Sequence, residues 1–473
     1  MATNAVSSAS GVLDVQSLVA QLMAVEQRPL DKLNAQITTD QSKISSLGTI
    51  SSLVSGFQTA LASLSSNLQA FTATPSDTSI FTATASSSAV AGTYSLKVSQ
   101  LAQAQNLVAT GQTSQTTAIG SGTATTLTFD FGTISGGTLS AGTYTGATFT
   151  TNGSGTKSIT INSTNNTLQG IRDAINTANI GVSATIVNDG SGTPYRLSLT
   201  SSSSGVNNSI KITSAAGGDA TINSLLTYDP AGVQNLNQSV AAQNANLTVN
   251  GIAITSASNQ VSSAIQGVTL SLKNTNPTTT ATLTVARDTS AINTAMSGMI
   301  SAYNSLASQL TSRSAYGNAT TAPGSLAGDG VLRAMQNQLR TIFNTAVSGG
   351  AYSSLAQVGV SFQVDGTLKL DSTALNDAVN NHFADLNNLV TSSAGVGTSL
   401  SNWATTILAS GTGLISTRTT TLNNDIKTTG DQIDKLTARL ATIKQNYITQ
   451  YSNLNILLGS MSNTSAYLSR QLG

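Results

Sequence analysis

Residues 422–468 read LNNDIKTTGDQIDKLTARLATIKQNYITQYSNLNILLGSMSNTSAYL, and this stretch decides the architecture. Apolar side chains fall at Leu422, Ile426, Ile433, Leu436, Leu440, Ile443, Tyr447, Leu454, Leu457, Met461 and Leu468. Thr429, Gln450 and Thr464 complete the series, whose steps alternate four and three. About seven such heptads mark a helix that turns one apolar seam toward a partner. Asp425, Lys427, Asp431, Asp434, Lys435, Arg439 and Lys444 gather on the same stretch. Asp431 precedes Lys435 by one turn, the orientation that supports a helix by about 0.3 kcal/mol.

The other end of the chain mirrors this pattern. Ile50, Val54, Phe57, Leu61, Leu64, Leu68 and Phe71 step by four and three, and Leu30, Leu33, Ile37, Ile44 and Leu47 follow the same rule upstream, with Asp40 as the polar exception. The phase slips by one residue near Gly48, which predicts a break or kink there, and Pro29 predicts a second break or bend. Two amphipathic helices at opposite ends of one chain need partners, because an apolar seam left in water is an aggregation hazard. An intramolecular hairpin is the plainer solution. Packing against other subunits is the favoured one, since neither seam shows a thick globular core to rest on. Leu18, Leu22, Leu30, Leu33, Ile37 and Ile433 are the candidate assembly-seam residues.

Between the ends the period changes to two. Thr93-Tyr94-Ser95-Leu96-Lys97-Val98 alternates, as do 127–131, 158–161 and 196–200, and 270–272 and 281–285 read as further strands. Asn152-Gly153, Asn188-Asp189-Gly190 and Asn250-Gly251 punctuate the runs, the last inside a hairpin. A short helix over 167–178 interrupts, with Thr167 as N-cap and Leu168, Ile171 and Ile175 on one face. Helices return at 289–313, 329–343 and 373–389, around a hairpin turning at Val364-Asp365-Gly366-Thr367. The fold class expected is α+β multidomain, with terminal coiled-coil or helical-bundle legs and inserted antiparallel β-rich head domains.

Composition narrows the function. Charged residues make 8 % of the 473, against about 25 % in ordinary globular proteins. Lys and Arg total 20 and Asp and Glu 19, so no basic footprint for nucleic acid exists. So neutral a surface suits an assembly or life outside the cell, while 39 % hydrophobic content argues against wholesale disorder. The opening MATNAVSSASGVLDVQSLVAQLM lacks the basic start and apolar core of a secretory signal, so export, if it occurs, is expected without a cleaved leader. No stretch approaches the about 18 apolar residues of a membrane span.

Catalytic chemistry finds little to work with. Cys is 0, which removes thiolate zinc sites, disulfides and a cysteine nucleophile, and the one His, His382, sits in Asn380-Asn381-His382-Phe383 as a surface or capping residue. Scarce carboxylates leave no supported acid pair for glycoside hydrolysis. Ser135-Gly136-Gly137 and 214–219 lack the Lys-Ser/Thr of a phosphate-binding loop and read as loops. Asp329 in Leu326-Ala327-Gly328-Asp329-Gly330 is a helix N-cap rather than a calcium ligand. No enzyme activity, cofactor or metal is expected.

The run Ser10-Gly11-Val12-Leu13-Asp14-Val15-Gln16-Ser17-Leu18-Val19-Ala20-Gln21-Leu22-Met23, continuing into Glu26, Pro29-Leu30 and Leu33, resembles the start of the bacterial flagellar filament cap family, FliD or hook-associated protein 2. Tyr94-Ser95-Leu96-Lys97-Val98, Thr167-Leu168-Gln169-Gly170-Ile171-Arg172-Asp173-Ala174-Ile175-Asn176, Val249-Asn250-Gly251, Ala302-Tyr303-Asn304, Leu326-Ala327-Gly328-Asp329 and Thr464-Ser465-Ala466-Tyr467-Leu468 are similar to that family in order along nearly the whole chain. Little is recognisable between 105 and 165.

The resemblance implies a secreted, extracellular protein at the flagellum tip, exported through the flagellar type III channel. It implies a homo-oligomeric ring, described as pentameric, that helps exported flagellin fold and insert and prevents its loss. Flagellin, a hook–filament junction protein and an export chaperone are the implied partners, with no nucleic acid and no membrane insertion. The implied division is a leg over 1–45 and 411–473, a helical stalk domain over 46–71 and 288–410, a β-rich head domain over 72–120 and 242–287, and a second head domain over 121–241. An extracellular adhesin binding host glycan or mucin through the β head is the alternative. Flagellin itself also has helical ends around a variable middle, but its characteristic terminal motifs are missing here.

Overall fold

The computed structural model describes residues 14–472, so Ser10 to Leu13 of the opening motif lie outside the described residues. The described helices are α1 (Val15–Glu26), α2 (Arg28–Asn67), α3 (Leu168–Ala178), α4 (Ala220–Leu226), α5 (Thr289–Ser314), α6 (Gly330–Asn344), α7 (Ser372–Asn381), α8 (Phe383–Thr391), α9 (Val396–Leu408) and α10 (Leu414–Leu472). The chain divides into two compact units, one of Met1–Leu68 with Thr289–Gly473 and one of Gln69–Asp288.

In the helical unit, the apolar series of the N-terminal helix has a core of its own chain to rest on. Leu47, Ile50, Val54, Phe57, Leu61, Leu64 and Leu68 are buried together with Ile292, Met296, Met299 and Leu306 of α5, Leu332 and Met335 of α6, and Leu400 and Trp403 of α9. α2 runs unbroken through Gly48, which is exposed and meets nothing within 4 Å where a Cβ would stand. The expected break is therefore absent: a glycine costs a helix about 1 kcal/mol against alanine, and burial of Leu47 and Ile50 on either side outweighs that. Pro29 does mark a real boundary. α1 ends at Glu26, and α2 begins at Arg28 with the proline in its first turn, where the missing N–H breaks no bond.

The expected helix over 373–389 is two helices, α7 and α8, separated at His382, whose φ of −137° and ψ of 36° leave the helical region. Asp371 accepts from the Thr373 and Ala374 amides to start α7, and Asp329 accepts from the Val331 amide to start α6. The hairpin of Val360–Phe362 and Leu368–Leu370 turns through Gly366 at φ 83°.

The second unit carries two hydrophobic cores. One lies under a five-stranded antiparallel sheet ordered Phe71–Pro75, Ala281–Arg287, Gly92–Gln100, Ala245–Val249, Ile252–Ser256 and a three-stranded sheet of Gln260–Ile265, Val268–Leu272 and Phe81–Ala85. Leu96 and Val98 point in and Lys97 out, the alternation that period two requires. Asn250 at φ 48° and Gly251 at φ 82° make the left-handed pair of a tight hairpin turn. The other core gathers Leu107, Leu127, Phe129, Ile161, Ile171, Ile175, Leu197, Leu199, Ile210 and Tyr228 between two further sheets, α3 and α4. Thr167 caps α3 by accepting from the Gly170 amide.

Two stretches there differ from expectation. Gly136 and Gly137 are not a loop but lie inside the strand Thr125–Ser140, which pairs with Thr143–Thr151. Both take positive φ, 67° and 72°, so the twisted ribbon tolerates glycine where any side chain would be disfavoured. The end of the 214–219 stretch, also read as loop, is Asp219, the N-cap of the short α4.

Candidate assembly surfaces

α10 is one continuous helix of 59 residues, and its heptad seam meets three different surroundings. Near its start Leu422 is buried in the core of the helical unit, and α2 lies alongside. Further along, α1 takes over: Val19, Met23 and Leu440 bury one another, with Val15, Leu30, Leu436, Ile443, Tyr447 and Tyr451 packed around them. Beyond residue 450 the seam is open, and Leu454, Leu457, Met461 and Leu468 are 40 %, 55 %, 61 % and 51 % exposed.

The six seam residues singled out from the sequence all lie in the covered part. Leu18, Leu22, Leu30, Leu33, Ile37 and Ile433 are half-buried on α1, α2 and α10 of the same chain. Within the chain this inner part has cover of its own, because the connection through α2 brings α1 back against α10. Of the polar members of the two seams, Asp40 and Thr429 are buried while Gln450 and Thr464 are exposed, and Asp40 keeps a 2.8 Å ion pair to Lys43. The outer segment also exposes Ile456, Tyr467 and Leu472, which lie off the strict heptad series. Their signal in the sequence is the crowding of apolar residues on more than one face from residue 454 onward.

α1 lies antiparallel to α10. Tyr447 Oη donates to Glu26 Oε1 at 3.5 Å, near the α1 C-terminus, while Asp14 and Val15 share a groove with Ser452 and Asn455. That groove measures about 880 Å³.

Several acidic groups are engaged in holding the fold. Asp329 Oδ1 accepts from the Val331 amide and Oδ2 from Arg418 Nε of α10. Asp219 is buried and accepts from the Ser121 hydroxyl and amide and from the Thr221 and Ile222 amides. The Ser121 hydroxyl bond, ahead of the backbone amides, holds its pKa down at about 2. His382 is exposed, with its ring edge-on to Tyr352 at 5.9 Å. Among the described residues no cluster of three His, Asp or Glu side chains could hold a metal, and no helix is long and apolar enough to cross a membrane.

The model "Flagellar hook-associated protein 2 C-terminus" matches residues 242–463, "Flagellar hook-associated protein 2 N-terminus" residues 11–105, and "Flagellin hook IN motif" residues 148–203. Flagellar hook-associated protein 2 of Escherichia coli strain K12 is 34 % identical over 97 % of this chain and 96 % of its own length. The B-type flagellar hook-associated protein 2 of Pseudomonas aeruginosa is 30 % identical over 97 % of this chain and 95 % of its own. Among solved structures, the D1-D2-D3 domains of the Escherichia coli flagellar cap protein FliD superpose with a TM-score of 0.68 at 36 % identity, covering 80 % of this chain and 99 % of that one.

Proposed function

This chain belongs to the flagellar hook-associated protein 2 (FliD) family, and from that membership we infer a structural cap at the distal tip of the bacterial flagellar filament, outside the cell. Like the cap proteins it matches, it associates with flagellin and with further copies of itself. In the finer reading, residues 1–45 and 411–473 form a leg and 46–71 with 288–410 a stalk domain. Residues 72–120 with 242–287 form one head domain, and 121–241 the second. Five copies form the ring, and flagellin leaving a type III channel folds beneath it. An export chaperone accompanies the chain, which adjoins a hook–filament junction protein during assembly.

The exposed outer seam of α10 carries the mechanism. Burying one leucine there contributes about 1.5–3 kcal/mol, so Leu454, Leu457, Met461 and Leu468 together can hold a leg against a neighbouring helix without any catalytic group. A strain lacking this gene is expected to shed flagellin monomer into the medium, and the chain supplied in trans to restore filaments. The double variant Leu454→Asp, Leu457→Asp should fold with unchanged circular dichroism yet fail to restore them. Normal filaments on that variant would refute the leg mechanism.

A further inference from the structure

We propose that α1 is exchanged between copies when the cap assembles, so that α1 of one chain lies on the Leu436–Tyr451 face of α10 of its neighbour. The proposal rests on the oligomeric reading above and specifies the contact within it.

Three observations carry it. First, α1 is attached through a joint. Gln27 ends α1 and precedes Arg28, no side chain caps the start of α2, and Pro29 follows at once. Proline disfavours the helical conformation of the residue before it, so Arg28 has an extended alternative that points α1 elsewhere without disturbing the rest of α2.

Second, α1 is held weakly. Its 12 residues are too few for a stable isolated helix. Val19 and Met23 are its only fully buried side chains, and Tyr447 reaches Glu26 of α1 through a long hydrogen bond of 3.5 Å. A groove of about 880 Å³ runs beside Val15, Val19 and Met23. Such elements open at low cost.

Third, the receiving surface does not depend on α1. α10 continues unbroken from Leu414 to Leu472, anchored in its own core at Ile415 and Leu422. A neighbour's α1 meets on it the same residues that its own α1 meets, so exchange restores the packing that opening gives up. The occupant is thus defined by complementarity already present within the chain. In a dilute monomer the short joint favours the chain's own α1. In a ring, neighbouring copies are held at high effective concentration and the balance shifts.

The chain contains no cysteine, which makes the test clean. Cysteines are placed at Glu26→Cys and Tyr447→Cys, both half-buried and outside the buried trio of α1 and α10, and joined with a short bismaleimide. A second pair, Met23→Cys with Leu440→Cys, repeats the measurement at the centre of the contact. Full-length protein is linked as dilute monomer and as assembled ring, and the joined peptides are identified by mass. The dilute sample should link within chains, and assembly should raise the interchain product at least about tenfold. Assembly with linking confined to single chains would overturn the exchange and leave the capping role standing. Failure to assemble under any condition would overturn the oligomeric reading and the exchange with it.

Discussion

Arg418 Nε lies 2.8 Å from Asp329 Oδ2, joining the first turns of α10 to the N-terminus of α6. The aspartate side chain is only 6 % exposed, and its second oxygen caps α6 through the Val331 amide. One carboxylate thus fixes where the long helix leaves the core. Asp329→Ala removes both bonds and leaves Arg418 without its partner. It should cost about 2–4 kcal/mol, a lost cap of about 1 plus the unpaired, half-buried charge. Asp329→Asn retains the cap and should cost about half as much. Urea unfolding followed by Trp403 emission measures both. An Asp329→Asn variant as stable as the parent chain would show that the ion pair contributes nothing.

A second expectation concerns acid. Asp219, with a usual value of 3.8, is held at about 2 chiefly by the Ser121 hydroxyl, then by the amides of Ser121, Thr221 and Ile222. Asp189 is held at about 2 chiefly by its Arg196 hydrogen bond. Both folded values lie below the unfolded one, so each group's stabilisation is full above about pH 4 and is lost as the pH falls toward 2. Asp219→Asn should therefore flatten the pH dependence of stability between about pH 4 and 2 and leave its slope near neutrality unchanged. The 69–288 unit contains no tryptophan, so circular dichroism is the probe. An unaltered acid limb would rule out this carboxylate as a contributor.

The 69–288 unit should fold by itself. Its ends meet: Phe71 pairs with Arg287 across the sheet, and the Asp288 amide donates to the Ala70 carbonyl at 3.0 Å. Its two cores are composed of its own residues, which is the condition for independent stability. A fragment of these residues should unfold cooperatively on heating, with dispersed amide resonances. A molten spectrum would count against the division.

Core and seam should respond oppositely to truncation. Phe57 is fully buried, with its ring 6.0 Å from that of Tyr303, and Phe57→Ala should cost about 3–5 kcal/mol. Leu457→Ala, at 55 % exposed, should change the stability of the monomer by less than about 0.5 kcal/mol while weakening assembly. Calorimetry on dilute protein, paired with light scattering on concentrated protein, separates the two effects. A large monomer loss for Leu457→Ala would mean that its own chain covers the site.

Local signals are legible in the sequence where they are strong. Thr167 and Asp329 as caps, the Asn250-Gly251 hairpin and the period-two run around Leu96 follow from rules acting over three or four residues. The departures share one cause. At Gly48 a local cost is overruled by packing against α5 and α9, far along the chain. At Gly136 and Gly137 the cross-strand partner, 143–151, supplies the strand character that glycine lacks. α4 offers only Asp219 before seven residues, too short a run for a helical period to register.

The seam shows the same limit. Its existence, length and heptad spacing follow from residues 422–468 alone, because a repeat of 3.5 puts those side chains on one face whatever surrounds them. Which part of that face is covered was decided only in three dimensions. Burial depends on where α1 and α2 end as well as on spacing: the six candidate seam residues are half-buried within the chain, while Leu454, Leu457, Met461 and Leu468 are exposed. Periodicity specifies a face, and only the folded chain specifies what lies against it.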